Sequence, residues 1–229
     1  MTLSTIRNNP AKQKKVKTKK QKAIAATCAV AFWLLVWHVV SLCVGSELVL
    51  VSPVKVVQTL FTVIFDPDFL KTVWYSAARI LGGFFTALTL GTVLGWVASR
   101  FWVVETLLRP ITAVIKATPV ASFIILVLLW FSGKNLSVII SMLMVFPVIY
   151  MNVLEGIRSA DEKLLEMAQV FRLSVGKKLL YIYLPAVAPF FVSACSVSLG
   201  LCWKSGIAAE VIGTPDGSIG AVFYQAKIF

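Results

Sequence analysis

Three basic side chains interrupt otherwise apolar sequence: Arg79, Lys116 and Lys204. A charge inside a membrane span is costly and usually faces a bundle interior or a water-filled path. The alternative is snorkelling to the nearest interface, which suits Arg79 at the edge of its span and extends to Lys204. Lys116 is the stronger path candidate, because it lies three residues before Pro119. Helix breaks in membranes are tolerated where other protein or a water-lined cavity satisfies the freed carbonyls. Pro119 and Pro147 are expected to interrupt two spans in this way. Glu210, just past the last span, joins the path candidates, with pairing to a base or capping a turn as the plainer reading.

No catalytic constellation accompanies these charges. A single histidine, His38, leaves a His-based metal site or triad without partners. Cys28, Cys43, Cys195 and Cys202 lie in apolar segments, form no CxxC pair and read as small buried hydrophobes. Two Gly-Lys pairs, Gly133–Lys134 and Gly176–Lys177, lack the earlier glycine of a P-loop; Leu128 and Phe171 stand there instead. The chain is therefore expected to hold no metal or nucleotide and to be no enzyme itself.

The elements that position these residues follow from composition. The 229 residues are 59% hydrophobic and 14% charged, against about 45–50% and about 25% in ordinary soluble domains, and mean hydropathy is +0.87. A core of this size cannot hide so much apolar surface, and disorder needs low hydrophobicity. A soluble enzyme is excluded; an all-α polytopic membrane bundle is expected. Five segments reach the roughly 20 apolar residues that a spanning helix needs: 23–44, about 80–98, 111–131, 136–154 and about 186–209.

Residues 1–22 carry eight basic side chains and no acid. This tail reads as a solvated cytoplasmic extension rather than a nucleic-acid arm, and the apolar run after it is too long for a cleaved signal peptide. With the N-terminus inside, the inner segments collect 15 Lys and Arg, and the outer loops before the last span hold three. That asymmetry places the N-terminus and loop 155–183 in the cytoplasm. No Asp or Glu is expected well inside any span. Gly83, Ala87, Gly91 and Gly95 recur every four residues, giving the second span a narrow face for close helix contact, within the chain rather than between subunits.

Loop 155–183 carries a local pattern of its own. Ser159-Ala160-Asp161-Glu162 reads as a capping box, Ser159 capping backbone N–H groups and Glu162 reaching back. The helix it opens is expected to pack Leu164, Ala168 and Phe171 as one stripe with Leu165 beside them, leaving Glu162, Glu166 and Gln169 on other faces. Ser174 is expected to cap a second short helix ending at Leu184–Pro185. Such short helices are unstable alone; they pack on their own bundle or dock in a partner's groove.

At this loop the sequence resembles the permease subunits of binding-protein-dependent ABC importers. Their signature is Glu-Ala-Ala, three residues, Gly, nine residues, Ile, one residue, Leu-Pro. Here Glu166-Met167-Ala168 opens the match and Ile182-Tyr183-Leu184-Pro185 closes it, with Arg172 at the glycine position. Over roughly residues 23–229 the chain looks most like the nitrate, sulfonate and taurine branch, which includes permeases for thiamine-precursor pyrimidines. The matching pieces are Ser52-Pro53 with Val57 and Leu60, Ser76 to Gly83, Trp130-Phe131 with Gly133, Phe146-Pro147 with Glu155-Gly156, and Ala209-Glu210 with Gly217 and Gly220.

The resemblance implies a permease homodimer in the bacterial inner membrane, working with a cytoplasmic ATPase pair and an extracytoplasmic substrate-binding protein. ATP and Mg would be bound by the ATPase, and Ser159, Glu162, Leu165, Glu166, Ala168, Gln169, Arg172, Ile182, Leu184 and Pro185 would form the coupling loop. It also implies six spans. Five are evident, so a C-terminally shortened permease is expected. The expected function is import of a small anion or pyrimidine-type precursor. The alternatives are an ATPase-independent secondary transporter and a non-transporting membrane scaffold.

Overall fold

The structure is a computed structural model that describes residues 19–47, 49–131 and 133–228. Residues 1–18 of the expected basic tail lie outside these, and its last residues already belong to the first helix. The chain divides into two compact units, one up to Asp66 and one from Pro67. No strand occurs among the described residues.

The first unit holds α1 (Lys19–Val44) and α2 (Pro53–Val63). α1 is apolar on every side, as a helix bathed in acyl chains must be. α2 starts where Ser52 Oγ accepts the Lys55 N–H and Pro53 takes the first helical position, which needs no N–H. Trp37 Nε1 donates to the Val51 carbonyl oxygen at 3.1 Å, tying the connection back to α1. Cys28 and Cys43 are exposed on α1. Burial was expected from their apolar surroundings, but apolar sequence in a membrane helix faces lipid as readily as protein.

The second unit is built on α6 (Gly133–Arg158), held between α3 (Pro67–Arg100) and α9 (Leu184–Gly213). The small-residue face of α3 explains the close fit. Gly83, Ala87, Gly91 and Gly95 are all buried, and a Cβ on Gly83 would stand 2.4 Å from the Val138 carbonyl oxygen. Gly91 and Gly95 lie against Ile149, Tyr150 and Val153. On the other side of α6, Ser141 Oγ donates to the Cys202 carbonyl oxygen at 3.2 Å, beside Gly206, which leaves room for Ile80 and Ser141. Ile80, Phe84, Val145, Ile149 and Ala194 fill the core between the three helices.

Among the described residues four helices are long and apolar enough to span a membrane, and a fifth crossing exists if one bent pair counts as a span. That pair, α4 (Trp102–Ala117) and α5 (Val120–Trp130), covers the third span, expected over 111–131 with an interruption at Pro119. It turns through 109° at Pro119. The residue before a proline is driven from helical into extended backbone, and Thr118 adopts φ −85° and ψ 134°. Pro147, by contrast, does not interrupt its helix as expected: α6 runs through it unbroken, with the proline buried in the packed centre.

The last elements are α7 (Glu162–Val170), α8 (Val175–Lys178), a π-helical turn (Leu179–Tyr183), α9 and α10 (Ile219–Ile228). From Val175 to Gly213 they form one continuous helix of 39 residues. The expected stop at Leu184–Pro185 is absent. Pro185 sits in the first turn of α9, directly after a turn in which the Leu184 N–H reaches five residues back to the Leu179 carbonyl. The wider turn accommodates a residue that has no N–H to give.

Candidate functional site

Three groups of chemistry-bearing residues emerge: the segment 159–183, a polar chamber between α4 and α6, and a buried carboxyl where α3, α9 and α10 meet.

The segment 159–183 is organised by its turns. Ser159 does not cap α7. Its N–H still bonds the Glu155 carbonyl at 2.9 Å and its Oγ donates to the Gly156 carbonyl at 2.8 Å, so Ser159 finishes α6. The cap of α7 is Asp161, whose Oδ1 accepts the Lys163 N–H at 2.9 Å, and Glu162 opens the helix. At the other end, Arg172 N–H bonds Gln169 O at 3.0 Å and Leu173 N–H bonds Ala168 O at 2.9 Å. This is a Schellman closure, which requires a left-handed residue. Arg172 supplies it at φ 49°, in the position where the importer signature has glycine.

Packing of α7 also departs from expectation. Ala168 is fully buried with Ala160 and Ile182, and Leu165, Leu173 and Tyr183 cover that cluster. Leu164 and Phe171, expected on the packed stripe, are exposed instead. The Schellman turn directs the chain after Ala168 toward the bundle, so the Leu165–Ala168 face is the one pressed inward. Ser174 precedes α8 without a side-chain cap bond. The outer surface of the segment carries Glu162, Glu166, Gln169 and Pro185 together with large apolar groups. Val170 is 80% and Phe171 71% exposed.

The chamber between α4 and α6 has a volume of about 220 Å³ and includes Glu105, Arg109, Lys116, Tyr150, Glu155 and Arg158 in its walls. It opens at the end of the bundle that carries segment 159–183. Glu105, in the first turn of α4, accepts from Arg158 at 2.5 Å, and Arg109 approaches it at 3.8 Å. Lys116 lies in the last turn of α4, where a cation suits the helix dipole, and forms no ion pair among the described residues. Lys204 lines a different cavity, of about 600 Å³, with Phe69, Trp203, Ile207 and Phe223. The two lysines therefore do not share one cavity. Arg79 stacks over the Tyr75 ring at 4.9 Å from its centre.

Glu210 lies inside α9, not past a span, and is completely buried. It stands in the last turn of that helix, three residues before Gly213. Ser76 Oγ donates to Glu210 Oε2 at 2.7 Å and accepts the Ile219 N–H at 2.9 Å. The Gly220 N–H also reaches Oε2, at 3.4 Å. Gly220 touches the Glu210 backbone so closely that a Cβ would stand 2.3 Å from it. Two separate pieces of sequence that carried the resemblance, the one from Ser76 and the one from Ala209-Glu210 to Gly220, thus meet at one point.

Sequence reasoning missed Glu105, Arg158 and Tyr150. The four-residue spacing of Glu105 and Arg109 was a usable signal for a helical pair. No local pattern links Arg158 to Glu105 across 53 residues. Asp161 was in view within the capping pattern but assigned no role.

The sequence model of a family described as "Binding-protein-dependent transport system inner membrane component" matches residues 87–229, more than half of the chain. The chain is similar to a putative aliphatic sulfonates transport permease protein of Bacillus subtilis (strain 168), at 30% identity over 199 residues, 86% of this chain and 71% of the relative. It is 27% identical to a taurine transport system permease protein of Escherichia coli (strain K12), over 79% of this chain and 68% of that one. With a nitrate import permease protein of Synechocystis sp. it shares 25% identity, over 89% and 76% of the two chains.

Proposed function

Since the chain belongs to the family of binding-protein-dependent transport system inner membrane components, we propose that it is the permease subunit of an ABC importer for a small oxyanion. It would form the membrane path and take its driving force from a cytoplasmic ATPase gripping segment 159–183. The relatives' names, for sulfonates, taurine and nitrate, support the solute class. ATP and Mg belong to the ATPase chain, and solute is delivered by an extracytoplasmic binding protein. A second copy of the chain completes the path, and the N-terminus is cytoplasmic.

One observation carries the coupling reading. The short α7 is locked at both ends and anchored by Ala168, yet turns Val170 and Phe171 outward beside Glu166. A rigid, solvated helix face mixing carboxylate and large apolar groups is suited to a partner's groove. Alternating access then needs only that the ATPase favour one of two arrangements of the bundle.

The test is co-purification with the ATPase subunit encoded beside it. Wild type is expected to retain the ATPase and Glu166→Lys to release it. Absence of any association in wild type would overturn the importer reading. A second reading, ATPase-independent transport, draws on one observation, the buried carboxyl of Glu210 in α9. Solute uptake into proteoliposomes without ATPase would favour it.

A further inference from the structure

The chamber between α4 and α6 has donors without acceptors. Tyr150 is 1% exposed, its ring stacked on Phe146. Its hydroxyl is buried, faces the chamber and has no hydrogen-bond partner among the described residues. Buried polar groups are normally satisfied, and each exception calls for a reason. Lys116 adds three N–H donors and has no ion pair among the described residues. Glu105 is already engaged by Arg158 and Arg109. Among the charged groups lining the chamber, Arg109, Lys116 and Arg158 outnumber Glu105 and Glu155. An occupant that offers only acceptors and carries negative charge would satisfy the phenol and the ammonium together.

The size narrows the choice. The chamber's roughly 220 Å³ is several times the ~30 Å³ share of one liquid water and below the about 300–1,000 Å³ of sites for drug-sized ligands. That suits a small oxyanion with a few waters.

We infer that this chamber binds the oxyanion head of the solute, a sulfonate or nitrate-type group, between Lys116 Nζ, the Tyr150 hydroxyl and the free N–H groups of Arg109. The role as a station on the path rests on the importer reading above; the binding itself does not. Lys116 supplies the charge. Tyr150 supplies a directional donor that a cation or a neutral apolar solute would leave unsatisfied. A phosphate head of an anionic lipid offers the same acceptor chemistry, and the experiment separates the two sources.

The full chain is reconstituted in nanodiscs of phosphatidylcholine, and binding of radiolabelled ethanesulfonate and of nitrate is measured. Wild type is expected to bind, with Tyr150→Phe weaker by about tenfold and Lys116→Gln by about tenfold or more, the range for losing a hydrogen bond to a charged group. Tyr150→Phe keeps the packed ring, Lys116→Gln alters an exposed side chain, and Lys134→Gln, at the other end of α6, should bind as wild type does. No binding to wild type, or unchanged binding in both chamber variants, means the chamber holds water only and overturns the inference. So does loss of binding on adding phosphatidylglycerol, which would assign the chamber to a lipid headgroup. No ATPase is needed, so the two readings fail separately. Sulfonate binding without ATPase association sinks the importer reading alone, and ATPase association without sulfonate binding sinks the chamber alone.

Discussion

Ser76 and Glu210 stand 134 residues apart in the chain and share a buried hydrogen bond of 2.7 Å. The same serine oxygen accepts from Ile219 N–H, so one hydroxyl joins α3 and α9 to the start of α10.

Ser76→Ala should therefore remove two bonds at once, leaving the Ile219 N–H unpaired and the carboxyl with only the long Gly220 N–H bond at 3.4 Å. Stranding buried polar groups costs about 1–3 kcal/mol each. Thermal unfolding in nanodiscs should show a clear loss of stability. A melting temperature equal to that of wild type would mean that the tie contributes nothing.

Adjacent glycines on α3 offer an internal control. At Gly83 a Cβ would strike the Val138 carbonyl, whereas at Gly82 nothing lies within 4 Å. Gly83→Ala should destabilise by about 1–3 kcal/mol through forced separation of α3 and α6. Gly82→Ala should be neutral or stabilising by up to about 1 kcal/mol. Chemical denaturation of both variants side by side tests the order, and the reverse order would contradict the packing described.

The cap of α7 can be assigned by amide hydrogen exchange. Asp161→Ala should weaken the helix by about 0.5–2 kcal/mol and speed exchange at Lys163 and the residues after it. Ser159→Ala should leave those amides unchanged, because its hydroxyl bonds the end of α6. Faster exchange in the serine variant alone would restore the capping box.

Arg172 holds a backbone conformation that costs an L-residue roughly 1–2 kcal/mol. Arg172→Gly should relieve much of that cost, offset by the greater freedom of glycine when unfolded. Arg172→Val, with its branched Cβ, should open the Schellman turn. Melting curves for the pair should move in opposite directions; a stabilised valine variant would rule out the left-handed turn.

Much of the frame was legible because it obeys local rules. The four-residue recurrence from Gly83 to Gly95 marked the close face of α3, and Pro119 marked the break at which α4 and α5 diverge. The misreadings arose where a local rule had two solutions. Ser159 and Asp161 both qualify as caps, and the choice depends on how far α6 runs before it ends. Pro185 reads as a stop unless a widened turn precedes it, and no spacing announces such a turn. Pro147 reads as a break, yet its helix continues through it, packed on both sides. Ser76 with Glu210, and Arg158 with Glu105, are products of tertiary approach, and no periodicity encodes them.

The helix from Val175 to Gly213 has a mechanical consequence. Its 39 residues, at about 1.5 Å each, reach about 58 Å, well beyond the ~30 Å of bilayer hydrocarbon. One end carries Ile182 against Ala168, and the other carries Glu210 against Ser76. It is a push-rod with a catch at the far end and a compliant joint, the π turn at Leu179–Tyr183, near the driven end. A displacement imposed at Val175 is absorbed at that turn or at Pro189, whose missing N–H leaves a second soft point inside α9, or else is delivered to the catch.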